Sequence, residues 1–173
     1  MFRITQQNPA DDVAVENLMA EAFGESRYER SVWALRPGPP VRALCLMGFE
    51  DDAPVGSLRF WEVMLGDDKI LLLGPLAVQP DLRGKGIGRK LVEEGLRLAR
   101  DSNWSLVLVS GEQNYYPKFG FVPAAPYNLD WPGFIEPERL QFCELVPGSL
   151  MRIPKGPLAV RSEEHTSELQ SPD

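Results

Sequence analysis

Between Asp81 and Arg100 the chain reads DLRGKGIGRKLVEEGLRLAR, and one turn of it gathers Gly84, Gly86 and Gly88 with the cations Arg83, Lys85, Arg89 and Lys90. As the start of a helix this composition is unfavourable by itself. A helix N-terminus already carries partial positive charge and unpaired amides, and glycine costs roughly 1 kcal/mol per helical position. A bound polyanion reverses the balance: glycine lets the backbone approach, free amides bond the oxygens, and cations neutralise the charge. The residue types therefore point to phosphate chemistry, with a solvated basic loop as the plain alternative.

Two familiar phosphate motifs do not fit. A dinucleotide-binding G-x-G-x-x-G needs glycine at position 89 or 91, where Arg89 and Leu91 stand, and no G-x-x-x-x-G-K-S/T run surrounds the turn. From residue 89 onward, Leu91, Val92, Gly95, Leu96, Leu98 and Ala99 form an apolar stripe, with Glu93 and Arg97 exposed four apart. Packing on a sheet explains that stripe but not the turn before it.

The elements that must position this turn follow from the same sequence. FRITQQ alternates as a short edge strand, PADDVAVENLMAEAFG predicts a helix with acids in its first turn and glycine at its end, and ESRYERSVWALRPG predicts a second helix. RALCLMGFE and VGSLRFWEVML, separated by DDAP, predict an antiparallel hairpin. KILLLGPLAV hardly alternates, which suits a strand buried on both faces, and Gly74-Pro75 within it predicts a bulge. After the glycine-rich helix come SLVLVS as a central strand, a short helix NYYPKF, and later strands FVPAA and FCELVP. The order predicts one α/β or α+β domain with a mixed sheet.

Arg83 to Gly88 also fits a six-residue pattern: Gln or Arg, two residues, Gly, one residue, Gly or Ala. Here the chain resembles the GNAT superfamily of acetyl-CoA-dependent N-acetyltransferases, in which this turn binds the pyrophosphate of coenzyme A. LLLGPLAVQP resembles the family's fourth strand, which bulges, parts from the fifth strand and pairs its exposed backbone with the pantetheine arm. NYYPKFGFVPA resembles the second family motif, a tyrosine four residues before a Gly-Phe turn, here Tyr116 before Gly120-Phe121. The double tyrosine and the Gly-Phe-Val-Pro run look most like a bacterial subgroup of predicted N-acetyltransferases, and the likeness spans roughly residues 2 to 160.

The resemblance implies a mixed, mostly antiparallel sheet flanked by helices, with splayed fourth and fifth strands. It implies acetyl-CoA as cosubstrate, without a metal, bound by Leu76, Ala77, Val78, Arg83, Gly84, Lys85, Gly86, Ile87, Gly88, Arg89 and Asn114. The acceptor would be a small-molecule or protein amine attacking directly in a ternary complex, and a homodimer is left open. A backbone NH near Val78 would polarise the thioester carbonyl. Tyr116, a phenol with a reference pKa of about 10, would protonate the departing sulfur. Tyr115 reads as packing, while Asn114 either bonds the cofactor or caps the short helix. Glu21, Glu62 and Glu112 are unranked as general base beside a water relay, and Trp33, Trp61, Tyr127 and Trp131 read as core or as acceptor-pocket walls. The alternative function is an acyl-CoA sensor or interaction module that transfers nothing.

The whole chain bounds these readings. It has 173 residues, of which 43% are hydrophobic and 25% charged, the proportions of an ordinary soluble globular domain. It shows no apolar run of membrane-spanning length and no apolar core behind its N-terminus, so no membrane association and a cytoplasmic location are expected. The net charge of −7 argues against non-specific nucleic-acid binding. Cys45 and Cys143 read as two separate buried thiols. Arg161 to Ser171, RSEEHTSELQS, matches a reading frame of a common sequencing adapter, so residues 161–173 are expected to be an artefactual tail on a single domain of residues 1–160. Without the tail the chain is only mildly acidic and has no histidine, His165 being the sole one. That disfavours histidine-dependent triads and most zinc sites.

Overall fold

The computed structural model describes residues 1–24, 39–127, 129 and 135–152, together with the backbone of 158–160. The predicted helix over ESRYERSVWALRPG lies outside the described residues, as do Trp33 and Trp131.

After β1 (Phe2–Gln6), Asn8 sets up the first helix. Its side chain accepts from the Ala10 amide at 2.9 Å, and the Asp11 carboxylate accepts from the Asn8 amide at 2.9 Å. These reciprocal bonds satisfy amides that a helix start leaves unpaired, and α1 (Asp12–Phe23) follows, ending at Gly24. Arg42–Leu44 forms a 3-10 turn where the sequence predicts the start of a strand. The hairpin is β2 (Leu46–Glu50) and β3 (Ala53–Leu65), joined through Asp51 at φ 55°.

Strand β4 (Asp68–Val78) pairs antiparallel with β3, and α2 (Ile87–Asp101) crosses over to β5 (Leu106–Ser110). Next come a 3-10 turn at Tyr116–Phe119, β6 (Val122–Pro123), β7 (Leu140–Glu144), α3 (Ser149–Arg152) and β8 (Leu158–Val160). The sheet order is β1-β2-β3-β4-β5-β7-β6. Strand β8 pairs with Val63–Leu65 of β3, beyond the stretch that β2 covers. Among the described strands only β4 and β5 are parallel, as a strand-helix-strand crossover requires. This is the mixed, mostly antiparallel, helix-flanked sheet that the resemblance implies.

Helix α2 buries Leu91, Val92, Leu96 and Ala99 on one sheet face, against Leu58, Phe60, Leu71, Leu73, Val107 and Val109. Its charges pair as Arg89 with Glu93 and Arg97 with Glu94 and Asp101, so Glu93 and Arg97 do not partner each other. The opposite face packs Val15, Leu18 and Met19 of α1 on Met47 and Ala77, and elsewhere joins Ile70, Leu72, Leu108 and Phe142. Because β4 is covered on both faces, Ile70 to Leu73 are all apolar and buried. Gln7 is buried beside α1; its amide nitrogen donates to the Leu46 carbonyl (2.7 Å) and Ser57 (2.9 Å), while Arg59 donates to its oxygen (2.9 Å). Arg59 also pairs with Asp12 at 2.8 Å, tying the sheet to the helix start.

The two thiols, Cys45 and Cys143, are buried and unpaired, and burial is the main cause that pushes both above the ordinary thiol range.

Candidate active site

Gly74 and Pro75 open the site. Leu58 faces Leu76 and Phe60 faces Leu73, so β4 has one more residue than β3 in this interval. The extra residue is the expected bulge. The Gly74-Pro75 bond is cis, and the Trp61 indole donates to the Gly74 carbonyl at 2.7 Å. Trp61 is thereby committed to the sheet, and Tyr127 packs edge-on against Phe142; neither lines the cavity described below.

Beyond the bulge β4 loses one neighbour. Its pairing with β5 runs from Leu71–Val107 to Leu73–Val109 and ends there, although β4 continues to Val78. The Gln79 amide donates to the Val55 carbonyl at 2.9 Å, in the same register that sets Ala77 opposite Ser57. In an antiparallel pair alternate residues direct both main-chain groups at the partner strand. Ala77 and Gln79 therefore face β3, while Leu76 and Val78 turn their NH and C=O groups to the side where β5 has stopped.

That side is a cavity of about 970 Å³. Leu73 to Leu76 and Val78 form one wall, Val109 to Glu112 with Tyr115, Tyr116 and Arg139 the other, and the α2 turn closes one end. At that end Gly84 and Gly86 have φ of 84° and 86°, a conformation that glycine adopts without penalty. A side chain at either position would meet open space, so they are kept for backbone shape and access rather than for packing. The first intrahelical bond runs from the Lys90 amide to the Gly86 carbonyl (3.1 Å), which leaves the amides of Ile87, Gly88 and Arg89 without an intrahelical acceptor. These donors, with Arg83 and Arg89, have the chemistry to bind an anion.

Tyr116 stands in the opposite wall. It is 9% exposed, and its ring meets Tyr115, Phe119 and Phe121. Tyr115 reaches across to α2: a Cβ on Gly88 would lie 2.9 Å from its hydroxyl. Lys118 sits 4.1 Å from the centre of the Tyr115 ring. Burial, then the Glu93 carboxylate, raises the Tyr115 phenol above its ordinary range, with Arg89 opposing.

Leu76, Val78, Arg83, Gly84, Gly86, Ile87, Gly88, Arg89 and Tyr116 thus come together around one cavity. Ala77, Lys85 and Asn114 stand outside its lining. Ala77 is buried under α1 because strand alternation turns it to the other face. Lys85 is exposed at the crest of the turn, and Asn114 is exposed without capping the 3-10 turn that follows. Of the three acids considered as base, Glu112 alone lines the cavity; Glu21 is exposed on α1, and Glu62 lies beside Lys69 at 3.9 Å. Ser110, Lys118 and Arg139 also line it and were not singled out from the sequence. Ser110 ends β5, and Lys118 and Arg139 sit in short 3-10 turns, where the pattern resembles any solvated connection.

Residues 13–121 match the model of the acetyltransferase (GNAT) family. The chain belongs to the GNAT family. This GNAT acyltransferase is 32% identical over 129 residues to the uncharacterized N-acetyltransferase YjhQ of Escherichia coli K12, covering 72% of this chain and 70% of that protein. Its fold is similar to that of a Brucella melitensis GNAT acetyltransferase solved with acetyl-CoA, with a TM-score of 0.71, 26% identity and coverage of 94% and 97% of the two chains. It is also similar to YhbS of Escherichia coli solved with CoA, with a TM-score of 0.75, 25% identity and coverage of 95% and 91%.

Proposed function

We propose that the chain transfers an acetyl group from acetyl-CoA to a primary amine by direct attack in a ternary complex. One observation carries the reading: β4 presents the main chain of Leu76 and Val78 to a cavity that has the amide-rich α2 turn at one end and Tyr116 in the facing wall. The acetyl-CoA and CoA in the Brucella and YhbS structures support the same ligand here.

The α2 turn would hold the pyrophosphate through the amides of Ile87 to Arg89 and the side chains of Arg83 and Arg89. Leu76 and Val78 would pair with the amides of the pantetheine arm as a strand does. Bound there, acetyl-CoA supplies an activated acyl carbon and a thiolate leaving group. A main-chain amide of this stretch, near Val78, would face the carbonyl oxygen on which negative charge develops, an interaction stronger in the transition state than in the ground state. Attack forms the carbon–nitrogen bond and breaks the carbon–sulfur bond. Tyr116 gives its proton to the sulfur, and the proton lost by the amine passes to Glu112 or water and restores the phenol. The balance is acetyl-CoA plus amine to N-acetyl amine plus coenzyme A thiol.

The functional unit we propose is residues 1–160, with 161–173 contributing nothing to it, acting in the cytoplasm. No helix among the described residues is long and apolar enough to cross a membrane. Purified protein incubated with acetyl-CoA and an amine library, followed by mass spectrometry, tests the reading. An acetylated amine formed in step with free thiol is expected. Saturable coenzyme A binding with every amine unchanged would assign the chain to a sensor instead.

A further inference from the structure

Among the described residues the cavity wall holds four cations, Arg83, Arg89, Lys118 and Arg139, against one acid, Glu112. Three of the four are engaged. Arg83 donates to the Ala22 carbonyl at the end of α1 (3.2 Å), Arg89 pairs with Glu93 (3.3 Å), and Lys118 lies over the Tyr115 ring (4.1 Å). Arg139 is half-buried, and its guanidinium has no hydrogen-bond or ion-pair partner among the described residues. A guanidinium partly removed from water without an anion loses hydration that nothing returns, whereas a carboxylate would match its planar donor fork in two parallel bonds.

Its position separates it from the cofactor's phosphates. From the α2 turn, Gly88 meets the Tyr115 hydroxyl, Tyr115 stands edge-on to Tyr116 with ring centres 5.1 Å apart, and the Tyr116 ring rests on Gly111. The Gly111 amide donates to the Arg139 carbonyl at 2.9 Å. Arg139 is thus reached from the α2 turn through Tyr115, Tyr116 and Gly111, on the Gly111 side of Tyr116. Gln141, 1% exposed, fixes this rim by donating to the Gly111 carbonyl (3.4 Å) and the Glu112 carbonyl (3.3 Å). The Glu112 carbonyl also accepts from the Tyr116 amide at 3.4 Å. One hydrogen-bonded unit thus carries a cation without a partner among the described residues, a carboxylate and the candidate acid.

Building on the acetyl-transfer reading, we infer that the acceptor is a carboxylate-bearing amine of the amino-acid class. Arg139 binds its carboxylate, and Glu112 faces its ammonium group. Arg139 is a specificity-determining residue and takes no part in proton transfer.

The test uses the full chain with acetyl-CoA and matched probes: leucine, methionine, phenylalanine and glutamate, each beside its α-carboxamide. The amide's amine loses its proton more readily, so a preference for the acid cannot come from amine basicity. Wild type is expected to favour at least one acid over its amide by roughly 10-fold or more in kcat/KM. Arg139→Gln is expected to remove that preference by raising KM roughly 10-fold or more with kcat little changed, and Arg139→Lys to restore part of it. Calorimetry with coenzyme A should give the same affinity for wild type and Arg139→Gln, which also shows that the variant is folded. Amides used as well as acids, acetylation of none of the probes, or weakened coenzyme A binding in Arg139→Gln would each overturn the inference. Failure of wild type to bind coenzyme A would instead remove the acetyl-transfer reading on which it rests.

Discussion

The ring of Tyr116 lies directly on the main chain of Gly111, so close that a methyl group at Gly111 would occupy the space of the ring edge. Gly111, the residue after β5, thereby sets the depth and direction of the Tyr116 ring in the cavity wall. Gly111→Ala must push the ring into the cavity or move the chain. A stability loss of about 1–3 kcal/mol is expected from overpacking, together with a larger fall in turnover than in coenzyme A affinity. Thermal unfolding and single-turnover kinetics on one preparation check it; full turnover in a folded variant would remove Tyr116 from the mechanism.

Tyr116→Phe keeps the ring and its packing on Gly111 and Phe121 while deleting the proton donor. The rate of the acetyl-transfer step should fall roughly 10²-fold or more, with coenzyme A affinity changed much less. Single-turnover measurement isolates that step from product release. An unchanged rate would leave Tyr116 as packing.

Gly86→Asp tests the anion-binding end. Gly86 has φ 86° with open space around its Cα, and Asp is among the residues that adopt this conformation at modest cost, so the variant should fold. Its carboxylate would face the pyrophosphate. Coenzyme A affinity by calorimetry should drop by roughly 10-fold or more, since each 1.4 kcal/mol of lost interaction is tenfold. Equal affinity in the folded variant would move the phosphate elsewhere.

How far the sequence carried these features depends on how local their causes are. Gly84 and Gly86 have no packing role, so their only use is backbone shape and access, and that was readable in the motif. The bulge at Gly74-Pro75 was readable because proline cannot donate to a ladder. The family motif takes in Ala77 with Leu76 and Val78 because a motif names a stretch, whereas alternation sends successive residues to opposite faces. Arg139 and Gln141 were invisible as site residues. Arg139 reaches the cavity, and Gln141 supports its rim, because β7 pairs with β5, a contact between distant parts of the chain that no local pattern announces. RALCLMGFE reads as one strand from Arg42, whereas the fold winds Arg42–Leu44 into a 3-10 turn before β2 begins.

Strand β8 ends at Val160, immediately before the adapter-like run. Deleting residues 161–173 should leave thermal stability within about 1 kcal/mol, the range of ordinary surface changes, and coenzyme A affinity unchanged. A larger loss in either would show that the tail belongs to the functional unit.

Strand β4 continues five residues past its pairing with β5, and a crystal structure of the chain with acetyl-CoA shows what occupies that side. The predicted result places the pyrophosphate on the amides of Ile87 to Arg89, the pantetheine arm along Leu76 and Val78, and the sulfur within hydrogen-bond reach of the Tyr116 hydroxyl. A thioester bound away from Tyr116, or a pantetheine arm that makes no main-chain bonds to β4, would contradict it.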